Sequence, residues 1–146
     1  MSQQNVEIVR SLLEPFEGID GTAIDWGAEP IRQMVERACW PNVELRPLES
    51  GLGSGPSALY RGPDGFLEYL QEWLEPFREY HAESLDYIDA GDCVLVPSRQ
   101  WGIGGASGAR VELELTWLYE LRDGRIARME QYDTVEDARE AAARRS

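Results

Sequence analysis

The stretch "RMEQYD" places Arg128, Glu130 and Tyr132 at alternate positions, with Asp133 directly after them. In a strand, alternate residues leave the same face about 7 Å apart, so an arginine, a carboxylate and a phenol can share one surface. A carboxylate enclosed by apolar groups loses solvation, its pKa rises, and it can then carry a proton to or from a carbon next to a carbonyl. A neighbouring Tyr or Arg can supply the donor for the developing oxyanion. The same three side chains also make a satisfied structural ion pair with a phenol hydrogen bond, and such networks perturb pKa values much as active sites do. Both readings fit the residues. Asp133 is a rival carboxylate, because a bulge after Tyr132 would turn it inward.

A second candidate is the glycine-rich "WGIGGASG" at 101–108. A dinucleotide fingerprint needs a strand, a glycine loop and then a helix whose N-terminus holds the pyrophosphate. Gly102 and Gly104 suit the first two positions, but the third falls on Ser107, and "VELELTW" follows with a period of two. The loop therefore reads as a turn between antiparallel strands.

Composition excludes other chemistry. The 146 residues contain no lysine, which removes Schiff-base catalysis and the lysine of a phosphate-binding loop. One histidine, His81, and two unpatterned cysteines, Cys39 and Cys93, supply no zinc ligand set, and no metal is expected. No GxSxG elbow accompanies the histidine, which reads as a partly exposed residue between a helix end and a strand. No cofactor is implied. A net charge of −13 disfavours nucleic acid and anionic membranes, and no apolar run approaches the ~20 residues that span a bilayer. The polar start "MSQQNVEIVR" lacks the apolar core of a signal peptide, so a cytoplasmic protein with reduced thiols is expected.

The elements that must position these residues follow from periodicity. "NVEIVRSLLEPF" and "PIRQMVERAC" show helical spacing, the first with Asn5 as a cap and the second with Pro30 in its opening turn. "VELRPL" reads as a short strand, and the segment around Gly51, Gly53 and Gly55 as a loop. A third helix carries Phe66, Leu70, Trp73, Leu74 and Phe77 on one stripe, and Pro76 should kink or end it. From residue 82 to 132 the pattern is an antiparallel meander, closed by a helix capped by Thr134. One domain, 1–146, is expected.

"RDGR" carries the Asp-Gly signal of a two-residue hairpin. Counting back from it pairs Leu121 with Ile126, Tyr119 with Arg128, Trp117 with Glu130 and Leu115 with Tyr132. Leu113, Leu115, Trp117, Tyr119 and Leu121 then share a concave apolar face with the polar trio, opposite Glu112, Glu114, Thr116, Leu118 and Glu120. Arg99 and Trp101 share a face of the neighbouring strand and can reach the same cavity, whereas Trp73 reads chiefly as core.

The order "NVEIVRSLLEPF", "PNVELRP", "YRGPDGFLEYLQEWLEPF", "DAGDCVLV", "GASGARVELEL", "LYELRDGRIARMEQYDT" resembles the SnoaL-like branch of the nuclear-transport-factor-2-like superfamily. The resemblance implies an α+β cone: a curved, antiparallel or mixed sheet wrapped around three helices with a cavity inside, often dimeric. It also implies kinship with polyketide cyclases, ketosteroid isomerases, dehydratases and epoxide hydrolases, of which the cyclases and isomerases use a cavity carboxylate to move a proton. Fold alone does not choose among these.

Two functions are consistent with this reading. One is a cofactor-independent isomerase, cyclase or lyase acting on a small hydrophobic carbonyl compound. The other is a module of the same fold that holds an apolar ligand or a partner subunit without chemistry. A homodimer is expected through the outer sheet face, where Cys93, Leu95, Pro97, Leu118, Ala127 and Met129 would form an apolar patch.

Overall fold

The computed structural model describes residues 2–48 and 59–145, so the loop reading at Gly51, Gly53 and Gly55 lies outside the described residues. Helix α1 (Ser2–Leu13) buries Val6, Val9 and Leu12, one stripe at helical spacing. Asn5 is inside this helix rather than at its cap, and its amide reaches the carbonyl of Gly91. Helix α2 (Glu29–Ala38) opens with Pro30 in its first turn and passes directly into strand β1 (Cys39–Arg46). Strand β2 (Tyr60–Arg61) and helix α3 (Gly62–Leu74) follow. Phe77, expected on that helix, instead opens strand β3 (Phe77–Ser84), because Pro76 ends the helical run one turn earlier.

Strands β4 (Ile88–Ala90), β5 (Cys93–Gly104), β6 (Arg110–Arg122) and β7 (Arg125–Tyr132) form the expected meander, and helix α4 (Val135–Ala143) is capped by Thr134, whose side chain accepts from the Asp137 amide. The curved, open sheet runs β2-β1-β7-β6-β5-β3, with β4 beside the start of β5. β1 lies parallel to β7 and the other pairs are antiparallel. Helices α1, α2 and α3 pack on one face around Val94, Val96, Tyr119, Leu121 and Met129. Helix α4 covers the other face, laying Ala138, Ala141 and Ala142 on Cys93, Leu95 and Leu118. No helix of the described residues is long and apolar enough to cross a membrane.

The glycine-rich segment turns the chain between β5 and β6, and one of its glycines has a packing reason. Gly102 lies opposite Tyr80, and a Cβ there would fall 2.6 Å from the Tyr80 ring and 2.8 Å from the Phe77 ring. Gly102→Ala should therefore lower stability by about 1–3 kcal/mol through overpacking. Urea unfolding checks this, and an unchanged midpoint would mean that the two rings can move aside at no cost.

The Asp-Gly hairpin forms as its sequence dictates, with Asp123 at φ 50° and Gly124 at φ 81°, both in the left-handed region that a two-residue turn requires. Leu121 pairs with Ile126 as expected, but the next paired residues are Glu120 and Arg128. Ala127 is thus an extra residue on β7, a bulge that shifts the register by one. Because side chains alternate with period two, every β7 residue beyond it changes face. Tyr119 pairs with Met129, Trp117 with Gln131 and Thr116 with Tyr132, while Glu130 lies opposite Leu118.

Candidate functional site: an aromatic cavity between helices and sheet

Between the three N-terminal helices and the inner sheet face lies a cavity of about 160 Å³. A single water needs roughly 10–15 Å³ of such space, so the void is sized for a small organic molecule. Its walls are chiefly apolar: Leu12 comes from α1 and Phe16 from the turn after it, Val35 from α2, Phe66, Tyr69, Leu70 and Trp73 from α3, and Trp117 and Tyr119 from β6. Ile19, Gly21, Ile24 and Trp26, between α1 and α2, complete the wall, and Ile19 is 45% exposed, which marks this side as the mouth.

The aromatic rings support one another. Tyr69 stacks on Trp73 at 6.5 Å between centroids and meets Trp117 edge-on at 6.3 Å. Trp73 in turn meets Tyr80 edge-on at 6.1 Å, and Trp117 stacks on Tyr119 at 5.8 Å. Such offset and edge contacts hold ring planes in place and present flat apolar surface to a guest.

Few polar groups interrupt these walls. The Tyr80 hydroxyl donates to Gln100 Oε1 at 2.5 Å, and Gln100 Nε2 donates to Ser98 Oγ at 3.2 Å, leaving its second N–H for another acceptor. Tyr69 accepts from Gln131 Nε2 at 2.7 Å, and no described hydrogen bond uses its own proton. Burial pushes the Tyr69 phenol up to about 12 against that hydrogen bond, and burial likewise raises Tyr80 against a hydrogen bond from Trp73. Both are neutral donors near pH 7 and not proton shuttles. The one carboxylate among the lining residues is Glu17, whose Oε1 accepts from the Ser84 amide at 3.1 Å.

The residues expected from sequence divide between the two faces. Trp117, Tyr119 and Trp73 line the cavity, and Leu115 is buried without reaching it. Arg99 is on the outer face, between Glu83 and Glu114, and Trp101 stacks there on His81. Asp133 is exposed ahead of α4. Glu130, Arg128 and Tyr132 do come together, but on the outer face beneath α4. Tyr132 donates to Glu130 Oε1 at 2.5 Å, and Arg145 Nη2 reaches both Glu130 oxygens at 2.6 and 2.7 Å. Arg145 Nε is also 2.9 Å from Glu120, and Arg128 approaches Glu130 at 3.8 Å. The placement of this trio inside the cone is corrected by the bulge at Ala127.

The patch from which a dimer was expected is likewise redistributed. Cys93, Leu95 and Leu118 are closed over by the chain's own α4, and Met129 belongs to the inner core. The cavity residues that periodicity overlooked are Tyr69, Tyr80, Gln100 and Glu17. Gln100 was recoverable, since the alternation that turns Val94 and Val96 inward continues through Ser98 to Gln100.

A curved open sheet that closes on three helices around an apolar cavity defines the nuclear-transport-factor-2-like class. The family model of the SnoaL-like domain matches residues 36–129, more than half of the chain, and the chain belongs to that family. Comparison with curated protein sequences gave no match. Among solved structures, TerC co-crystallized with polyporic acid is 18% identical with a TM-score of 0.67, covering 96% of this chain and 98% of its own. A SnoaL-like, polyketide-cyclase-like protein from Jannaschia sp. CCS1 is 19% identical with a TM-score of 0.67, covering 97% and 92%. Bal32a, from a soil-derived mobile gene cassette, reaches a TM-score of 0.70 at 15% identity and 94% coverage of each chain. At these identities the likeness is one of fold.

Proposed function

We propose that this SnoaL-like domain binds a small, flat, largely apolar molecule carrying a carbonyl or hydroxyl oxygen. The observation that carries the reading is a cavity walled by stacked aromatics, with neutral donors at Tyr69 and Gln100 and a single carboxylate. Flat rings match flat guests, and a few placed donors orient a ligand that the walls would otherwise hold without direction. That polyporic acid accompanies the similar TerC fold makes it a sensible first probe.

Titration of polyporic acid and a panel of planar aromatic ketones and phenols, read by quenching of indole fluorescence, tests the reading. Trp26, Trp73 and Trp117 all line the cavity, so a guest should quench them. Ala82→Phe, which fills the exposed β3 side of the cavity, should weaken binding at least tenfold with the fold retained. Tyr69→Phe should weaken a carbonyl ligand by about 1 kcal/mol. Equal affinity in the filled variant, or no binding by any member of the panel, would overturn the proposal.

Proton-transfer chemistry is a second reading with one specific support, since Glu17 places a carboxylate in the cavity wall. If a bound ketone is isomerised or cyclised, Glu17→Gln should reduce turnover by ~10²-fold with little change in affinity. Unchanged turnover would assign the cavity to binding alone.

A further inference from the structure

Outside the cavity, at the rim of its mouth, three side chains from distant parts of the chain converge. Asp20 precedes the short 3-10 turn at Gly21–Ala23, and Glu79 and His81 are alternate residues of the edge strand β3. One oxygen from each carboxylate and one imidazole nitrogen all lie within 4.8 Å of one another. We propose that Asp20, Glu79 and His81 form a binding site for a divalent transition-metal cation of the zinc or cobalt class, which straps the mouth segment to the sheet edge.

The donor chemistry fits. Ions of this class take imidazole nitrogen and carboxylate oxygen at about 2.0–2.2 Å, which sets neighbouring tetrahedral donors roughly 3.4 Å apart. His81 Nε2 and Glu79 Oε2 are 2.9 Å apart in a hydrogen bond, and an ion would take the place of its proton and draw that pair about 0.5 Å further apart. Water would complete the coordination.

The ligands are also held in place by contacts that a metal does not need to supply. Thr22 N, Thr22 Oγ1 and Tyr80 N donate to Asp20 Oδ1 at 2.9, 2.8 and 3.0 Å, and Oδ2 accepts none of these bonds. The His81 ring stacks on Trp101 with centroids 4.4 Å apart.

Charge points the same way. Among the described residues no arginine pairs with Asp20 or Glu79, and the nearby Arg110, over the Trp101 ring, is matched by Glu112 at 2.6 Å. Two carboxylates beside an imidazole, in a chain of net charge −13, leave a local negative charge that a divalent ion would neutralise. The mechanical consequence follows from sequence order. Asp20 lies between Ile19 and Gly21, both in the cavity wall, while Glu79 and His81 belong to the sheet. A shared ion would tie the two together, whatever the cavity holds.

Because His81 is the only histidine, its imidazole resonances report on the site without ambiguity. Titration with Zn²⁺ should shift them with one-to-one saturation, and Co²⁺ should broaden or strongly shift the same signals. Asp20→Asn, which keeps the acceptor at Oδ1, should weaken calorimetric Zn²⁺ affinity at least tenfold, and so should His81→Gln. Should Asp20→Asn perturb the fold, Glu79→Gln replaces it. Zn²⁺ should also slow hydrogen exchange at the Thr22 and Tyr80 amides at least tenfold. Imidazole signals unmoved by millimolar Zn²⁺, or affinity unchanged in the variants, would overturn the site. Imidazole shifts with unchanged amide exchange would overturn the strap.

Discussion

Replacing Glu130 with alanine is expected to lower the unfolding free energy by about 2–4 kcal/mol while leaving the cavity's affinity for an aromatic ligand unchanged. The Glu130 side chain is only 8% exposed and holds Arg145 and Tyr132 together under α4. Removing one member of a buried pair leaves the other charge without its compensation, which costs about 3–5 kcal/mol in enclosed cases. Here Glu120 remains 2.9 Å from Arg145 Nε, and the Arg145 side chain is 21% exposed, so the loss falls toward the lower end.

The reverse change, Arg145→Ala, leaves Glu120 and Glu130 facing each other and should cost a comparable amount. A double-mutant cycle between Glu130 and Arg145 in urea should show a coupling of roughly 1–3 kcal/mol, since the two share a network. Burial raises the Tyr132 phenol and Glu130 raises it further, so Tyr132 stays a donor at neutral pH. A Glu130→Ala protein of unchanged stability but altered ligand handling would place the residue's effect in the cavity instead, against the register of β7.

That contrast shows how far periodicity carries. Helices, strands and the Asp-Gly turn were legible because each is written in local signals: stripes at helical spacing in α1, alternation through β6, left-handed backbone at Asp123 and Gly124. The face of Glu130 was not. It depends on whether Ala127 pairs or bulges, and Ala127 carries no local mark, since alanine suits either state. On its other side β7 pairs with β1, whose register also shifts there, between Cys39 and Glu44. A two-strand count cannot contain that contact.

Helix α4 was read correctly as a capped helix, yet its destination was missed for a related reason. Its buried face is Ala138, Ala141 and Ala142, too small to announce a docking stripe, and it is anchored by Arg145 beyond the helix end. The outer sheet face therefore looked uncovered, and its apolar residues suggested a partner subunit. Asp20, Glu79 and His81 were equally invisible as a set, because one edge strand and a turn about sixty positions earlier meet only in three dimensions.

Stability should fall steeply on the alkaline side, beginning near pH 9 and before the tyrosines titrate. Burial pushes the Cys39 thiol from 9.0 up to about 12 and the Cys93 thiol from 9.0 up to about 11, the latter aided by the Glu120 carboxylate. Burial likewise raises Tyr69 to about 12 and lifts Tyr80 and Tyr119 from 10.0. Each of these groups binds its proton more tightly in the folded chain than in the unfolded one. Its contribution is fully present below the unfolded value and is lost as pH rises toward the folded value. Per group the slope is about −1.4 kcal/mol per pH unit inside its window. Two thiols acting from pH 9 upward can therefore remove several kcal/mol by pH 11, comparable with the whole stability of an ordinary domain. Urea midpoints measured from pH 7.5 to 11 should be flat at first and then decline from about pH 9. The Cys39→Ala, Cys93→Ala double variant starts from a lower plateau, but its decline should begin about one unit later, where the tyrosines take over. Coincident onsets in the two proteins would mean that the thiols are not held protonated by the fold.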